Sequence, residues 1–218
     1  MSEVFGGKAL ISIIERRSGG FLAVVVASLW LAGCATKMDA GEASRIKSIT
    51  IATIAEPDFF YRGRDTNLDL NPAMRTQNLH LGAELAQGIA NSLRSEGYNV
   101  SVASDPKQAD AIMEVSLGGL LPDQLGPIYA GRLGGPVFTS KVRLYDLTTH
   151  KTLFSQLYEV ADPPIKPMDG TVLIVPDPKY VLGSGTDAPA NPGLVAEAFR
   201  SAIQPVAASI AHSLRKPS

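Results

Sequence analysis

The side chain with the strongest nucleophilic chemistry in this sequence is the thiol of Cys34, the only cysteine among 218 residues. One cysteine cannot close a disulfide within the chain, so packing must stabilise the fold. Leu31, Ala32 and Gly33 stand directly before it. Small residues of this kind suit a narrow peptidase cleft, and the thiol is the side chain here that can form a thioether.

The residues before Cys34 have the layout of a secretory signal peptide. Arg16 and Arg17 precede an uncharged run over 18–33 with an apolar centre. This run is shorter than the about 20 apolar residues that a membrane-spanning helix needs. In this position the Leu-Ala-Gly-Cys tetrapeptide resembles the lipobox of bacterial lipoproteins. The alternative is that Cys34 is a buried thiol behind an uncleaved anchor.

The resemblance to lipoproteins implies how the protein is processed and where it resides. It implies cleavage between Gly33 and Cys34, which removes a signal peptide over residues 1–33. The long stretch before Arg16 departs from the pattern and leaves open a translation start downstream of Met1. It also implies palmitate-type acyl chains on Cys34 that anchor the mature chain to a membrane of the cell envelope. Ala35 rather than aspartate follows the cysteine, which by the same resemblance favours the periplasmic face of the outer membrane, with the inner membrane as the alternative.

The sequence after the signal peptide predicts one folded domain that follows a short tether. Residues 34–45 comprise the lipidated cysteine and a small, polar stretch that predicts a flexible tether. Residues 46–218 predict a single α+β domain in the order β-α-β-β-β-β-α, with a mixed sheet of four to five strands and two helices packed on one face. Hydrophobic periodicity predicts strands near 46–54, 98–102, 111–117, 137–145 and 152–160, helices over 77–97 and 193–215, and a polar loop over 56–76.

Two passages of this domain carry a second resemblance. They are Ala-Asp-Ala-Ile-Met-Glu-Val at 109–115 and Val-Arg-Leu-Tyr-Asp-Leu-Thr-Thr-His-Lys-Thr-Leu-Phe at 142–154. With the order of elements, they resemble periplasmic lipoproteins similar to the curli secretion lipoprotein and the amino-terminal domain of the Tol-system propeller protein. Such a fold carries many unrelated functions, so this resemblance implies a fold and not an activity.

An aromatic cluster in the polar loop is the candidate for partner binding. Phe59, Phe60 and Tyr61 are adjacent and precede Arg62. Neighbouring side chains of an extended backbone point in opposite directions, so at least one aromatic is expected to be exposed. Exposed aromatics beside an arginine are typical of a protein interface, whereas a buried aromatic would only plug the edge of the sheet. The apolar segment 171–175 is open to two interpretations, an extra edge strand or a partner-binding strand.

A calcium site is suggested by one spacing but not supported by its surroundings. Asp65, Asn67, Asp69 and Asn71 alternate like the first half of a calcium-binding loop. A leucine, however, stands where that loop needs glycine, and a threonine stands where it needs a bidentate glutamate. We therefore expect a solvated polar loop and no metal.

No cofactor or catalytic centre is predicted either. Residues 183–188 match G-x-G-x-x-A, but two prolines follow where a dinucleotide-binding helix should begin. His80, His150 and His212 are far apart in the sequence and are expected at the surface. The nucleophile motif G-x-S-x-G is absent from the sequence.

Composition and motifs together leave three classes of function. The net charge is −1 and no basic block is present, so nucleic-acid binding is not expected. The main prediction is a non-enzymatic, membrane-anchored envelope lipoprotein that acts as an accessory or binding module for a protein partner or assembles with itself. The first alternative is a periplasmic carrier of a small or lipidic ligand beneath the glycine-rich stretch 118–136, and the second is a hydrolase.

Overall fold

The chain divides into two compact units, Met1–Cys34 and Ala35–Ser218. The predicted signal peptide and Cys34 lie outside the described residues, as do most of the glycine-rich stretch and residues 183–188. Among the described helices, none has both the length and the hydropathy needed to cross a membrane. The structure, a computed structural model, describes residues 36–62, 67–103, 109–118, 138–160, 170–175 and 191–215.

The described residues form four helices and eight strands. The helices are α1 (Ala40–Arg45), α2 (Asn71–Thr76), α3 (Leu81–Ser95) and α4 (Pro192–Ser213). The strands are β1 (Ser48–Ile51), β2 (Phe60–Arg62), β3 (Asn67–Asp69), β4 (Asn99–Val102), β5 (Ala111–Gly118), β6 (Phe138–Asp146), β7 (Thr152–Val160) and β8 (Thr171–Ile174).

The main sheet is mixed and has six strands in the order β4-β1-β5-β6-β7-β8. β1 runs parallel to both β4 and β5, whereas β5, β6 and β7 form an antiparallel meander. β8 lies at one edge, parallel to β7, with Leu157 opposite Thr171. The α+β class is thus as predicted, but the four to five strands were too few. The missing strand is the apolar segment near 171–175, whose edge-strand interpretation is confirmed.

Alternate residues of the strands and one face of each long helix share a single hydrophobic core. Met113 of β5 and Leu144 of β6 are opposite each other and fully buried. Ile89 of α3 and Val206 of α4 are also fully buried and belong to the same cluster. The two long helices pack on each other over this face of the sheet. The described core therefore has the two-layer form expected of an α+β domain.

The prediction of two helices was wrong, because two more are present. α1 and α2 have six residues each, which is too short to show a helical hydrophobic period. The long helices were predicted within a few residues: α3 begins at Leu81 rather than Gln77 and α4 contains Pro205. The backbone of Gly97, after α3, has a φ of 86°, the left-handed conformation in which a glycine commonly follows a helix.

The stretch 56–76 was predicted as a polar loop, and this was only partly correct. It contains the antiparallel strands β2 and β3, which pair Phe60 with Asp69 in a separate two-stranded sheet, and the helix α2. Strands of three residues cannot show the alternation on which strand prediction depends. This small hairpin carries three of the four predicted partner-binding residues, Phe60, Tyr61 and Arg62.

Candidate functional site

The first described contact after Cys34 is a β-bridge between Thr36 and β7. The N–H of Thr36 donates to the carbonyl of Ser155 at 2.9 Å, and the N–H of Ser155 donates back to the carbonyl of Thr36 at 3.0 Å. Only Ala35 separates this bridge from the predicted lipid-bearing cysteine. The structure therefore differs from the flexible tether expected over 34–45, because Thr36 pairs with the sheet and residues 40–45 form the helix α1.

The helix α1 occupies most of the remaining expected tether. Asp39 caps it: the N–H of Glu42 donates to Asp39 Oδ1 at 2.7 Å, and the N–H of Asp39 donates to Glu42 Oε2 at 3.3 Å. This reciprocal pair is a capping box, which satisfies two N–H groups that would otherwise have no partner in the helix. Ala43 and Ile46 are buried in the core. We refer to residues 36–46 as the docking segment.

Two ion pairs connect the docking segment to the turn between β6 and β7. Arg45 donates to Asp146, and Lys151 donates to Glu42. The Asp146 carboxylate is fully buried and also accepts hydrogen bonds from the backbone N–H groups of Thr148 at 2.8 Å and Thr149 at 2.9 Å.

These interactions explain the acidity of Asp146. Its pKa is lowered from 3.8 to about 2, chiefly by the hydrogen bond from the Thr149 backbone. Burial acts in the opposite direction, and the hydrogen bonds from Arg45 and the Thr148 backbone lower the pKa further. Asp146 is therefore ionised at neutral pH, where it holds both its own turn and the docking segment.

The predicted aromatic interface is divided between the core and a small hairpin. Phe59 is buried, and its ring meets that of Phe199 edge to face, with 5.1 Å between ring centroids. Its backbone N–H donates to Asn71 Oδ1 at 2.9 Å. Phe59 is thus buried, as the alternative expectation allowed, but it packs in the core and not at the edge of the sheet. Phe60, Tyr61 and Arg62 form β2, whose backbone pairs with β3.

Within the calcium-like spacing, the side chains of Asp69 and Asn71 are hydrogen-bonded to each other. Asp69 Oδ1 accepts from the backbone N–H of Asn71 at 2.8 Å and from its side-chain nitrogen at 2.7 Å. Asp65 lies outside the described residues. Among the residues that are described, no three histidine, cysteine, aspartate or glutamate side chains gather closely enough to hold a metal ion.

The three histidines are exposed and separate. His80 precedes α3, His150 lies in the β6–β7 turn with a φ of 57°, and His212 lies in the last turn of α4. The nearest acidic group to His80 along its helix, Glu84, accepts a hydrogen bond from the His80 backbone at 3.2 Å and is paired with Arg200 at 3.3 Å. These positions agree with the surface placement expected from the sequence.

No protein-family model and no curated protein matches the chain. Three bacterial structures are similar to it at low identity. A PelC dodecamer from Paraburkholderia phytofirmans is 14% identical with a TM-score of 0.40, and the match covers 84% of this chain and 96% of that chain. A DUF330 protein from Xanthomonas campestris is 12% identical with a TM-score of 0.43, covering 82% and 89%. A lipoprotein from Neisseria meningitidis is 13% identical with a TM-score of 0.30, covering 56% and 86%. Identities and TM-scores this low support no conclusion about function.

Proposed function

We propose that this protein is a non-enzymatic lipoprotein of the bacterial cell envelope, anchored through Cys34 and serving as an accessory or binding module. The observation that carries the proposal is the lipobox-like sequence of residues 31–34, followed within two residues by the first attachment to the fold at Thr36. Cleavage before Cys34 would remove none of the hydrogen bonds described above, because all of them join residues beyond it.

Lipid on Cys34 would make the anchorage lasting. Each buried methylene contributes about 0.8 kcal/mol to membrane binding, and a single myristoyl chain binds only marginally. The three acyl chains usual for lipoproteins would hold the mature chain on the membrane for its lifetime. We place it on the periplasmic face of the outer membrane, because Ala35 follows the cysteine.

The second part of the proposal concerns a protein partner. Residues 60–62 form a strand of a small hairpin outside the main sheet, and β8 is a four-residue strand at the sheet edge. Short strands outside the main sheet or at its edge suit recognition by another protein or by a second copy of the chain. Phe59, which is buried against Phe199, would position the hairpin and would not itself contact the partner.

The anchorage is tested by the chemistry of the N-terminus. Mass spectrometry of the mature chain should find acylated Cys34 as the first residue, and the native protein should partition into the detergent phase of Triton X-114. Cys34→Ser should remain in the aqueous phase, whereas the control Ser44→Ala, which leaves residues 31–34 intact, should partition like the native chain. An unmodified Cys34 in the native protein would refute the proposal.

The partner is tested by photocrosslinking in cells. A photoreactive residue replaces Phe60 or Val172 in the lipid-anchored protein, with Asn91 on the exposed side of α3 as the control position. One recurrent envelope protein captured from positions 60 or 172, and not from 91, supports the binding role, and self-adducts at these positions support self-assembly. Identical products from all three positions would contradict it.

A further inference from the structure

We infer that the mature domain lies directly against the bilayer, with the β7–β8 edge of the sheet beside the lipid headgroups and the β4 edge on the far side. This inference rests on the proposed lipidation of Cys34. It goes further than anchorage, because a lipoprotein on a flexible tether could take any orientation and could move away from the surface.

The distance between the lipid and the fold sets the first constraint. Thr36 is fixed to Ser155 by two hydrogen bonds, and the two Cα-to-Cα steps from Cys34 through Ala35 to Thr36 can span at most about 7 Å. A bilayer of about 40 to 45 Å, with a hydrocarbon core of about 30 Å, leaves a headgroup layer of about 5 to 8 Å on each side. The chain from Cys34 to Thr36 is therefore no longer than the headgroup layer is thick.

The docking segment supplies the second constraint, because it is attached at several points. The Thr36 bridge, the burial of Ala43 in the core and the pairing of Arg45 with Asp146 succeed one another along the chain. Ile46, at the end of the segment, is fully buried in the core. The single exposed pair of Lys151 and Glu42 adds little by itself. Detaching the segment would require the loss of buried as well as exposed contacts.

The position of Thr36 in the sheet then gives the orientation. It pairs with Ser155 on the flank of β7 that β8 also occupies further along, so the lipid is attached beside one edge. Through the pairs of β7, β6, β5 and β1, Phe154 is level with Val102 of β4 at the opposite edge. Five strand spacings separate the flank of Thr36 from β4, which is about 24 Å.

The experiment measures which edge is close to the membrane. A maleimide fluorophore is attached at Thr171→Cys in β8, or at Val102→Cys, whose native side chain is 42% exposed. An acylated Cys34 has no free thiol to react. The purified acylated chain is placed in vesicles of phosphatidylethanolamine and phosphatidylglycerol that carry nitroxide-labelled headgroups. Because about 24 Å separates the edges, we expect quenching at position 171 to exceed that at 102 by at least about twofold.

A matched variant tests whether the short connection between Cys34 and Thr36 causes the stronger quenching at position 171. Inserting about twelve Gly and Ser residues between Ala35 and Thr36 gives a coil with an end-to-end distance of about 19 Å, and quenching at 171 should fall to the level at 102. If circular dichroism shows that the inserted chain folds poorly, Thr36→Pro serves in its place, because it removes the N–H that donates to Ser155. Quenching at position 171 should then also fall.

Flotation of the vesicles separates the two ways in which the idea can fail. A native chain that does not float refutes the lipid anchor and therefore the proposed function. A chain that floats but is quenched equally at both edges, or whose quenching is unchanged by the inserted linker, refutes the orientation and leaves the anchor intact.

Discussion

The carboxylate of Asp146 accepts a hydrogen bond from Arg45, 101 positions earlier in the chain. The same carboxylate accepts the backbone N–H groups of Thr148 and Thr149. One buried acidic group thus closes the β6–β7 turn and holds the docking segment against it. The ion pair that holds Arg45 of the docking segment requires this group to be ionised.

Acid should weaken the fold through Asp146. Its pKa is lowered from 3.8 to about 2, first by the Thr149 backbone and also by Arg45. Because the folded pKa lies below the unfolded one, its contribution is complete above about pH 4 and is lost as the pH falls towards 2. Urea unfolding of the native chain at pH 7, 4 and 2.5 should show this loss.

Asp146→Asn is the control for the acid prediction, because its amide has a similar shape and does not titrate. The variant should be less stable than the native chain at pH 7 by about 1 to 3 kcal/mol, since a charged acceptor is lost. The difference between the two proteins should shrink at pH 2.5. Asp110, whose pKa is also lowered by hydrogen bonds from the backbone of Lys47 and Ser48, would still titrate in both. A constant difference across this pH range would show that the charge of Asp146 is not responsible.

Tyr98→Phe should loosen the end of α4. The Tyr98 hydroxyl donates to the carbonyl of Leu214 at 2.6 Å in a buried setting. Loss of this bond leaves a buried acceptor unpaired and should cost about 1 to 2 kcal/mol at pH 7, measured by urea unfolding.

The stability of Tyr98→Phe at alkaline pH is a second test of the role of this tyrosine. Burial, aided by Glu96, raises the pKa of Tyr98 to about 12 from 10.0. Its contribution is therefore complete below about pH 10 and declines as the pH rises towards 12, and the variant should lose less stability in that range than the native chain. Burial also raises the pKa of Tyr158 to about 12, and this residue contributes the same alkaline loss of stability to both proteins. Equal alkaline losses would contradict the role assigned to Tyr98.

Ser140→Ala should leave the fold unchanged or stabilise it. Ser140 is fully buried in β6, and within the described part of the chain its hydroxyl has no hydrogen-bond partner. Removing an unpaired buried hydroxyl should raise the free energy of unfolding by up to about 1 kcal/mol. Ser48→Ala is the contrasting variant, because the Ser48 hydroxyl donates to Asp110 at 2.9 Å, and it should be destabilised. A clear loss of stability in Ser140→Ala would mean that its hydroxyl is paired.

Which parts of the fold could be predicted depends on whether their causes are local. The four-residue spacing of Leu85, Ile89 and Leu93 predicts α3 because a helix of fifteen residues must bury one face. The helix α1 was missed although Asp39 and Glu42 have the spacing of a capping box, since no apolar period follows them. That capping pair was the one local signal that could have revealed the docking segment.

The remaining features depend on contacts between distant parts of the chain. Burial of Phe59 depends on Phe199, 140 positions later, so the sequence could not decide between an interface and a plug. Thr36 is attached to Ser155 through backbone atoms alone, and backbone hydrogen bonds leave no trace in side-chain composition. The lipobox-like motif could indicate where the chain is anchored, but not how closely the domain follows.

Gly82→Ala should be clearly destabilising, in contrast to Gly41→Ala. A β-carbon at Gly82 would lie 2.6 Å from the backbone carbonyl oxygen of Ile54 and 3.1 Å from Glu56 Oε1. The N–H of Gly82 also donates to both carboxylate oxygens of Glu56, each at 3.1 Å, so the first turn of α3 cannot shift without losing this cap.

We expect Gly82→Ala to cost about 1 to 3 kcal/mol of unfolding free energy, because a backbone atom must move to make room. Gly41 lies inside α1, where the nearest atom to an added β-carbon is Asp39 Oδ1 at 3.4 Å, an ordinary contact. Gly41→Ala should therefore gain up to about 1 kcal/mol from helix propensity. Urea unfolding of both variants decides the matter. Equal stabilities would mean that α3 is not pressed against the chain at Ile54 as closely as the structure places it.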